Sequence, residues 1–115
     1  AVDKRGEEAL SQLAKVLEAN PDISILVEGH TDDVPYRGRG EIKDNWDLSV
    51  MRATAVVKIL LQKAKIDPSR ITAAGRGEYA PVDPAKTAEA RQKNRRTEII
   101  LTPNMDELIK ILNTE

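Results

Sequence analysis

The chain has 115 residues, enough for one domain with one modest core, and its 40% apolar and 32% charged residues are those of an ordinary folded globule. With 18 Lys and Arg against 19 Asp and Glu the formal net charge is -1, which leaves no basic surplus for a broad electrostatic grip on nucleic acid. Cysteine is absent, so there is neither a disulfide framework nor a thiolate metal site, and no apolar run approaches the length of a membrane span.

Asp3 is placed to cap a first helix running to about Glu18, with Leu10, Leu13 and Leu17 at helical spacing. Asn20-Pro21 stops it, because Pro21 cannot continue the hydrogen-bond ladder. Ile23, Ile25 and Val27 then alternate, with Leu26 on the other face. This is a strand apolar on both sides in its middle, hence central in its sheet. Gly29-His30-Thr31-Asp32-Asp33 ends it with small and polar residues. The loop from Val34 to Asp44 follows; it is long for a compact domain, and loops of that length tend to carry function.

Asp44 or Asn45 caps a second helix that reaches about Lys65. Its apolar stripe is read as Leu48, Met51, Ala55 and Ile59, widened by Val56 and Leu60. Asp67-Pro68 breaks the chain before a short strand, Ile71 to Ala74, which Gly75-Arg76-Gly77 ends. Pro81 and Pro84 mark a turn ahead of a short helix. Asn94-Arg95-Arg96 leads into a strand from Thr97 to Thr102. After Pro103 an amphipathic helix is expected, with Met105, Leu108 and Leu112 on one face. The order of elements gives an α/β or α+β two-layer sandwich, a small sheet with helices on one face. Three strands leave one sheet edge needing cover, which a further strand just before Ala1 would supply. The chain opens on Ala1 rather than Met and is expected to be a piece of a longer protein, with any targeting segment or anchor outside it.

The densest polar cluster sits at the C-terminal end of the central strand, where open sheets form ligand crevices. The N-terminus of the second helix offers free N–H groups to the same place. Asp32 and Arg52 can face each other there. A carboxylate recognises an ammonium and a guanidinium recognises a carboxylate, so the pair suits a zwitterion such as the head of an amino acid. The same two residues also make an ordinary structural ion pair. His30, the only histidine, has Ser49 and Thr31 as its only nearby nucleophiles, and with Asp32 and Asp33 it falls short of a usual zinc ligand set. Its default reading is a strand-end histidine bonded to the neighbouring loop. Gly75-Arg76-Gly77-Glu78 lacks the spacing of a phosphate loop and reads as a turn that needs positive φ at glycine. Arg76, Arg91, Arg95 and Arg96 cluster in the C-terminal half, where Glu78, Glu89 and Glu98 can balance them. Trp46, one of three aromatic residues in a chain without Phe, either stacks on a ligand or plugs the top of the core, and the core is the default.

Four ordered motifs carry a resemblance. Val27-Glu28-Gly29-His30-Thr31-Asp32-Asp33 comes first, then Asn45-Trp46-Asp47-Leu48-Ser49-Val50-Met51-Arg52-Ala53. Ile71 to Glu78 with Pro81 follows, and then Asn94-Arg95-Arg96-Thr97-Glu98-Ile99. Together they resemble the OmpA-like domain, over nearly the whole chain from the first helix to about Leu101. That family includes outer-membrane porin-like proteins, peptidoglycan-associated lipoproteins and the flagellar stator protein; the longer loop before Asn45 is similar to the stator branch.

The resemblance implies a small mixed sheet with helices over one face, and a single domain whose family core is about 1–102, the tail 103–115 lying beyond it. It implies a non-enzymatic periplasmic module, associated with the outer membrane or cell wall of a diderm bacterium, whose parent is membrane-anchored. Its partner would be the stem peptide of peptidoglycan, through diaminopimelate, with an envelope protein as a further possible partner and neither cofactor nor metal. Asp32 would hold the ammonium and Arg52 the carboxylate. Asn45, Thr31 and Arg95 would line the same pocket, Arg95 being preferred over Arg96 as the arginine of that segment. The alternative is a structural or oligomerisation domain that binds no cell wall.

Overall fold

The computed structural model describes residues 3–38 and 40–103. The helix expected after Pro103 and the strand expected before Ala1 fall outside that range. In chain order the elements are helix α1 (Lys4–Ala19), strand β1 (Ser24–His30), helix α2 (Asn45–Lys63), a single 3-10 turn (Pro68–Arg70), strand β2 (Ile71–Gly75), helix α3 (Ala88–Asn94) and strand β3 (Arg96–Thr102). The described strands form one mixed sheet in the order β2-β1-β3. β1 is central, as its two-sided apolar pattern predicts, and runs parallel to β2 and antiparallel to β3. A parallel pair needs a long crossover, and α2 supplies it.

Each helix starts where a side chain can satisfy its free N–H groups. The Asp3 carboxylate accepts from Gly6 N at 2.8 Å, the Asp44 carboxylate from Asp47 N at 2.9 Å and the Thr87 hydroxyl from Ala90 N at 3.1 Å. Such caps contribute about 0.5–2 kcal/mol each. α1 and α2 cover one face of the sheet, and the core lies between: Ala14 and Leu17 from α1, Ile25 and Val27 from β1, Ala53, Val56 and Leu60 from α2, and Ile66 after it. Fully burying a Leu, Ile or Val contributes roughly 1.5–3 kcal/mol, so these few residues dominate the stability.

Two expectations change. β1 does not stop before Gly29; His30 pairs with Arg96 of β3, so the ladder runs into the polar motif. Of the expected stripe of α2, Leu48, Met51, Ala55 and Ile59 widened by Val56 and Leu60, the structure buries Val56 and Leu60; Asn45, Ser49 and Ala53 complete the buried side. Met51, expected in the core, is 42% exposed. The cause is close approach. A Cβ on Gly29 would lie 1.9 Å from the Ser49 carbonyl oxygen, and one on Gly75 would lie 2.4 Å from Ser49 Oγ. Gly29 and Gly75 are register partners on adjacent strands. The start of the helix therefore rests on a bare patch of backbone where only small side chains fit, and hydropathy finds Val56 and Leu60 but misses Asn45, Ser49 and Ala53.

Candidate functional site

The seat of α2 is held by one buried hydroxyl. Ser49 donates to the Trp46 carbonyl at 2.9 Å and accepts from Gly77 N at 3.0 Å. Gly77 has φ +58, the positive value expected for this turn, and its carbonyl accepts from Thr31 N at 2.9 Å. The helix start, the turn after β2 and the end of β1 are thus tied together. Thr31 is buried as well, and its hydroxyl donates to the Asp32 carbonyl at 2.9 Å. These residues fix the frame in which the exposed polar groups stand.

With α2 seated this way, Leu48 and Arg52 point to one side and meet the end of β1. A cleft of about 260 Å³ opens there, lined by Asp32, Val34, Pro35, Tyr36, Asn45, Leu48, Arg52 and Arg95. Four of the five expected site residues, Asp32, Asn45, Arg52 and Arg95, come together in it. Thr31 is not among the lining residues; it positions Asp32 from behind. The Asp32 carboxylate accepts from Arg95 Nη1 at 2.7 Å and, through its other oxygen, from Val34 N at 3.0 Å. Arg52 donates from Nη1 to the His30 carbonyl at 3.3 Å. Asp32 and Arg52 line one cleft but form no ion pair among the described residues. Asp32 is instead bonded to Arg95. The Asn45 amide donates to the Val34 carbonyl at 3.1 Å and reaches Glu78 Oε1 at 3.5 Å, fastening the cleft loop to the helix. A second groove of about 460 Å³ shares Arg52 and Arg95 and continues past Met51 and Ala55 to Arg96 and Thr97.

The neighbouring acid behaves differently. Asp33 accepts from Arg91 Nε at 2.8 Å and from Lys86 Nζ at 2.7 Å. The hydrogen bonds from Arg91 and then Lys86 hold its carboxyl down, at about 2, against an ordinary 3.8. Asp33 therefore fastens α3 and the segment before it to the end of β1. Asn94, also buried, completes that fastening by accepting from Val82 N and Asp83 N at 2.9 and 3.2 Å. Of Asn94-Arg95-Arg96, only Arg95 reaches the first cleft. Arg96 bonds Glu98 at 2.6 Å and the Ala80 carbonyl at 2.9 Å, and it holds the Glu98 carboxyl below its usual value. The balance expected for the arginines thus holds for Arg96 with Glu98. Arg91 pairs with Asp33, Arg95 with Asp32, and Arg76 approaches Glu28 at 4.0 Å.

His30 does not bond the loop, as expected of it. Its Nε2 lies 3.0 Å from Glu28 and 3.7 Å from Glu98, on the sheet face opposite α1 and α2, and its Nδ1 is buried without a partner among the described residues. A proton on Nε2 satisfies that geometry, because a ring nitrogen facing two carboxylates must donate. The three groups have their ligand atoms within 4.8 Å of one another. The guanidiniums of Arg76 and Arg96 already face those carboxylates, which makes the cluster a charge-balanced network. Trp46 also departs from expectation. It is 49% exposed and stacks on Tyr79, with ring centroids 5.1 Å apart. Asn45 and Ser49 take the inward side of the helix start, where the seat is too tight for an indole.

The geometry has counterparts in known proteins. The family model described as the OmpA family matches residues 1–95. Motility protein B of Bacillus subtilis is 42% identical over 92 residues, covering 80% of this chain and 35% of that protein. Outer membrane porin F of Pseudomonas aeruginosa is 39% identical over 89 residues, covering 77% of this chain and 24% of the porin. The chain thus spans about a third or less of these relatives. The crystal structure of the C-terminal domain of Helicobacter pylori MotB superposes with a TM-score of 0.81 at 29% identity, over 97% of this chain and 83% of that one. The peptidoglycan-associated lipoprotein from Burkholderia pseudomallei gives 0.76 at 27% identity, over 89% and 81%.

Proposed function

The chain belongs to the OmpA family, and from that membership we propose that it binds peptidoglycan non-covalently, through the diaminopimelate of the stem peptide, and so tethers an envelope protein to the cell wall. Relatives of this family are periplasmic domains associated with the outer membrane or cell wall, and their names are those of motility, porin and lipoprotein components rather than enzymes. The observation that carries the finer reading is the convergence of Asp32, Asn45, Arg52 and Arg95 on one cleft.

In this reading Asp32 takes the ligand ammonium and Arg52 its carboxylate. Both have capacity left. A carboxylate offers about four lone-pair sites, of which Arg95 and Val34 N occupy two, so an ammonium joins without displacing Arg95. Arg52 uses a single N–H on the His30 carbonyl and keeps the paired donors that suit a carboxylate. Hydrolysis would need an activated nucleophile. The Ser49 hydroxyl is buried and bonded at both ends, and His30 Nε2 faces Glu28, so neither serves.

The test is co-sedimentation with purified sacculi, followed by titration with a stem peptide. Free diaminopimelate should compete with sacculi. A stem peptide carrying diaminopimelate should compete well, and the same peptide with lysine in its place, whose side chain ends in an ammonium without the second carboxylate, should compete poorly. Equal competition by the two would remove Arg52 from the role given to it. Muropeptides should be recovered intact after long incubation.

A further inference from the structure

All three aromatic side chains of this chain lie outside the core. Trp46 is 49% exposed, Tyr79 is 64% exposed, and Tyr36 lines the cleft of Asp32 and Arg52. Aromatic rings are the largest apolar surface a chain can bury, and in a core without Phe their absence from it is costly. Trp46 and Tyr79 instead lie against each other, 5.1 Å between centroids and 28° between planes. The backbone that carries the pair is held by hydrogen bonds. Trp46 is in the first turn of α2, beside Asn45 of the cleft. Tyr79 follows Glu78, whose carboxyl meets the Asn45 amide. Gly77 lies beside both rings, a Cβ there being 3.4 Å from an atom of each, and that turn is pinned by Ser49 and Thr31. Tyr79 also borders a separate cleft of about 190 Å³ whose rim carries Glu78 and Lys86.

We infer that the Trp46–Tyr79 stack is a carbohydrate platform, which receives a sugar ring of the glycan that carries the stem peptide. A pyranose presents a flat face of C–H bonds and an edge of hydroxyl and amide groups. A preformed aromatic face with charged side chains at its border matches both parts. Because the two rings already stack on each other, binding to them costs less conformational entropy than assembling a face from separate side chains. The platform adjoins the peptide cleft through Asn45 and Trp46. In peptidoglycan the stem peptide is covalently attached to the glycan, so one ligand can meet both surfaces. The proposal rests on the peptidoglycan reading and adds to it a second contact of different chemistry.

Trp46 is the only tryptophan, so its fluorescence reports on the platform directly. The full chain is titrated with a disaccharide-peptide fragment of peptidoglycan, with the same stem peptide free of sugar, and with a peptide-free tetrasaccharide of N-acetylglucosamine. Wild type, Tyr79→Ala and Arg52→Ala are compared after melting curves establish that each is folded. Tyr79→Ala should weaken the disaccharide-peptide about tenfold, the loss of roughly one aromatic contact, and leave the free peptide unchanged. Arg52→Ala should weaken both. The tetrasaccharide should change the wild-type Trp46 emission saturably. Equal binding of the disaccharide-peptide by wild type and Tyr79→Ala overturns the platform while leaving the peptide cleft intact. A concentration-dependent mass that Tyr79→Ala abolishes also overturns it, because the pair is then a contact between copies of this chain. If wild type binds neither the disaccharide-peptide nor the free peptide, the peptidoglycan reading fails and the platform fails with it.

Discussion

The first turns of α2 have two sides that obey opposite rules. The inner side, Asn45, Ser49 and Ala53, lies on the bare backbone of Gly29 and Gly75, and its polar atoms are bonded within the protein. The side facing the cleft, Leu48 and Arg52, opens onto Asp32 and Arg95, where groups keep hydrogen-bonding capacity in reserve. The two aspartates that end β1 repeat the contrast. Asp33 is held by two cations and joins α3 to the sheet, whereas Asp32 lines the cleft with one guanidinium and one backbone N–H. A rigid seat and an incompletely satisfied cleft come from the same short motifs, one residue apart. The seat is what allows the cleft to hold its charges at fixed positions.

Changing the seat should have the largest effect. Gly29→Val drives a side chain into the Ser49 carbonyl and should cost about 4 kcal/mol or more, enough to abolish cooperative melting. A near-wild-type melting temperature would mean that α2 does not sit on the sheet as described. Val27→Asp, which buries an unpaired charge in the core, should be comparably severe.

A change in the cleft should spare the fold and remove the ligand. Arg52→Ala should melt close to wild type yet lose about 2–5 kcal/mol of stem-peptide binding by calorimetry, and Arg52→Lys should also bind clearly more weakly. Asp32→Ala combined with Arg52→Ala should lose less than the sum of the single changes if, as proposed, the two contact the ammonium and carboxylate of one zwitterionic head.

Asp33 separates the two regions by pH. Its folded carboxyl titrates at about 2, below an ordinary 3.8, so protonation favours the unfolded chain. Its contribution is present above the ordinary value and lost as pH falls toward 2. Denaturant melts of Asp33→Asn should therefore be less stable than wild type at pH 6, with the difference narrowing as the pH falls. A constant difference would mean that its pairs with Arg91 and Lys86 do not form. The smallest effect belongs to Met51, which the hydropathy pattern assigns to the core. Met51→Ser should change stability by no more than about 0.5 kcal/mol, as for an exposed position. A loss of about 2 kcal/mol would restore the apolar-stripe reading of α2.

Much of the architecture was legible from local chemistry. Asp3 and Asp44 cap because a short carboxylate reaches a free N–H. Pro21 and Pro68 break the ladder, and the alternation of Ile23, Ile25 and Val27 marks the face that α1 and α2 cover. The family motifs placed Asp32, Asn45, Arg52 and Arg95 together, and they do line one cleft. Periodicity found Val56 and Leu60 but did not reveal which side of the first turns of α2 faces the sheet. That depends on Gly29 and Gly75 standing side by side on strands far apart in the chain, and close packing there favours small residues over apolar ones. Nor could it divide the labour of Asp32 and Asp33, whose cationic partners come from 53 to 63 residues away. Local sequence determined the elements, their ends and the inventory of charged groups, because those depend on neighbours within a turn or a strand. Only the tertiary structure decided which charge meets which and which side of a helix is buried, because those depend on distance in space.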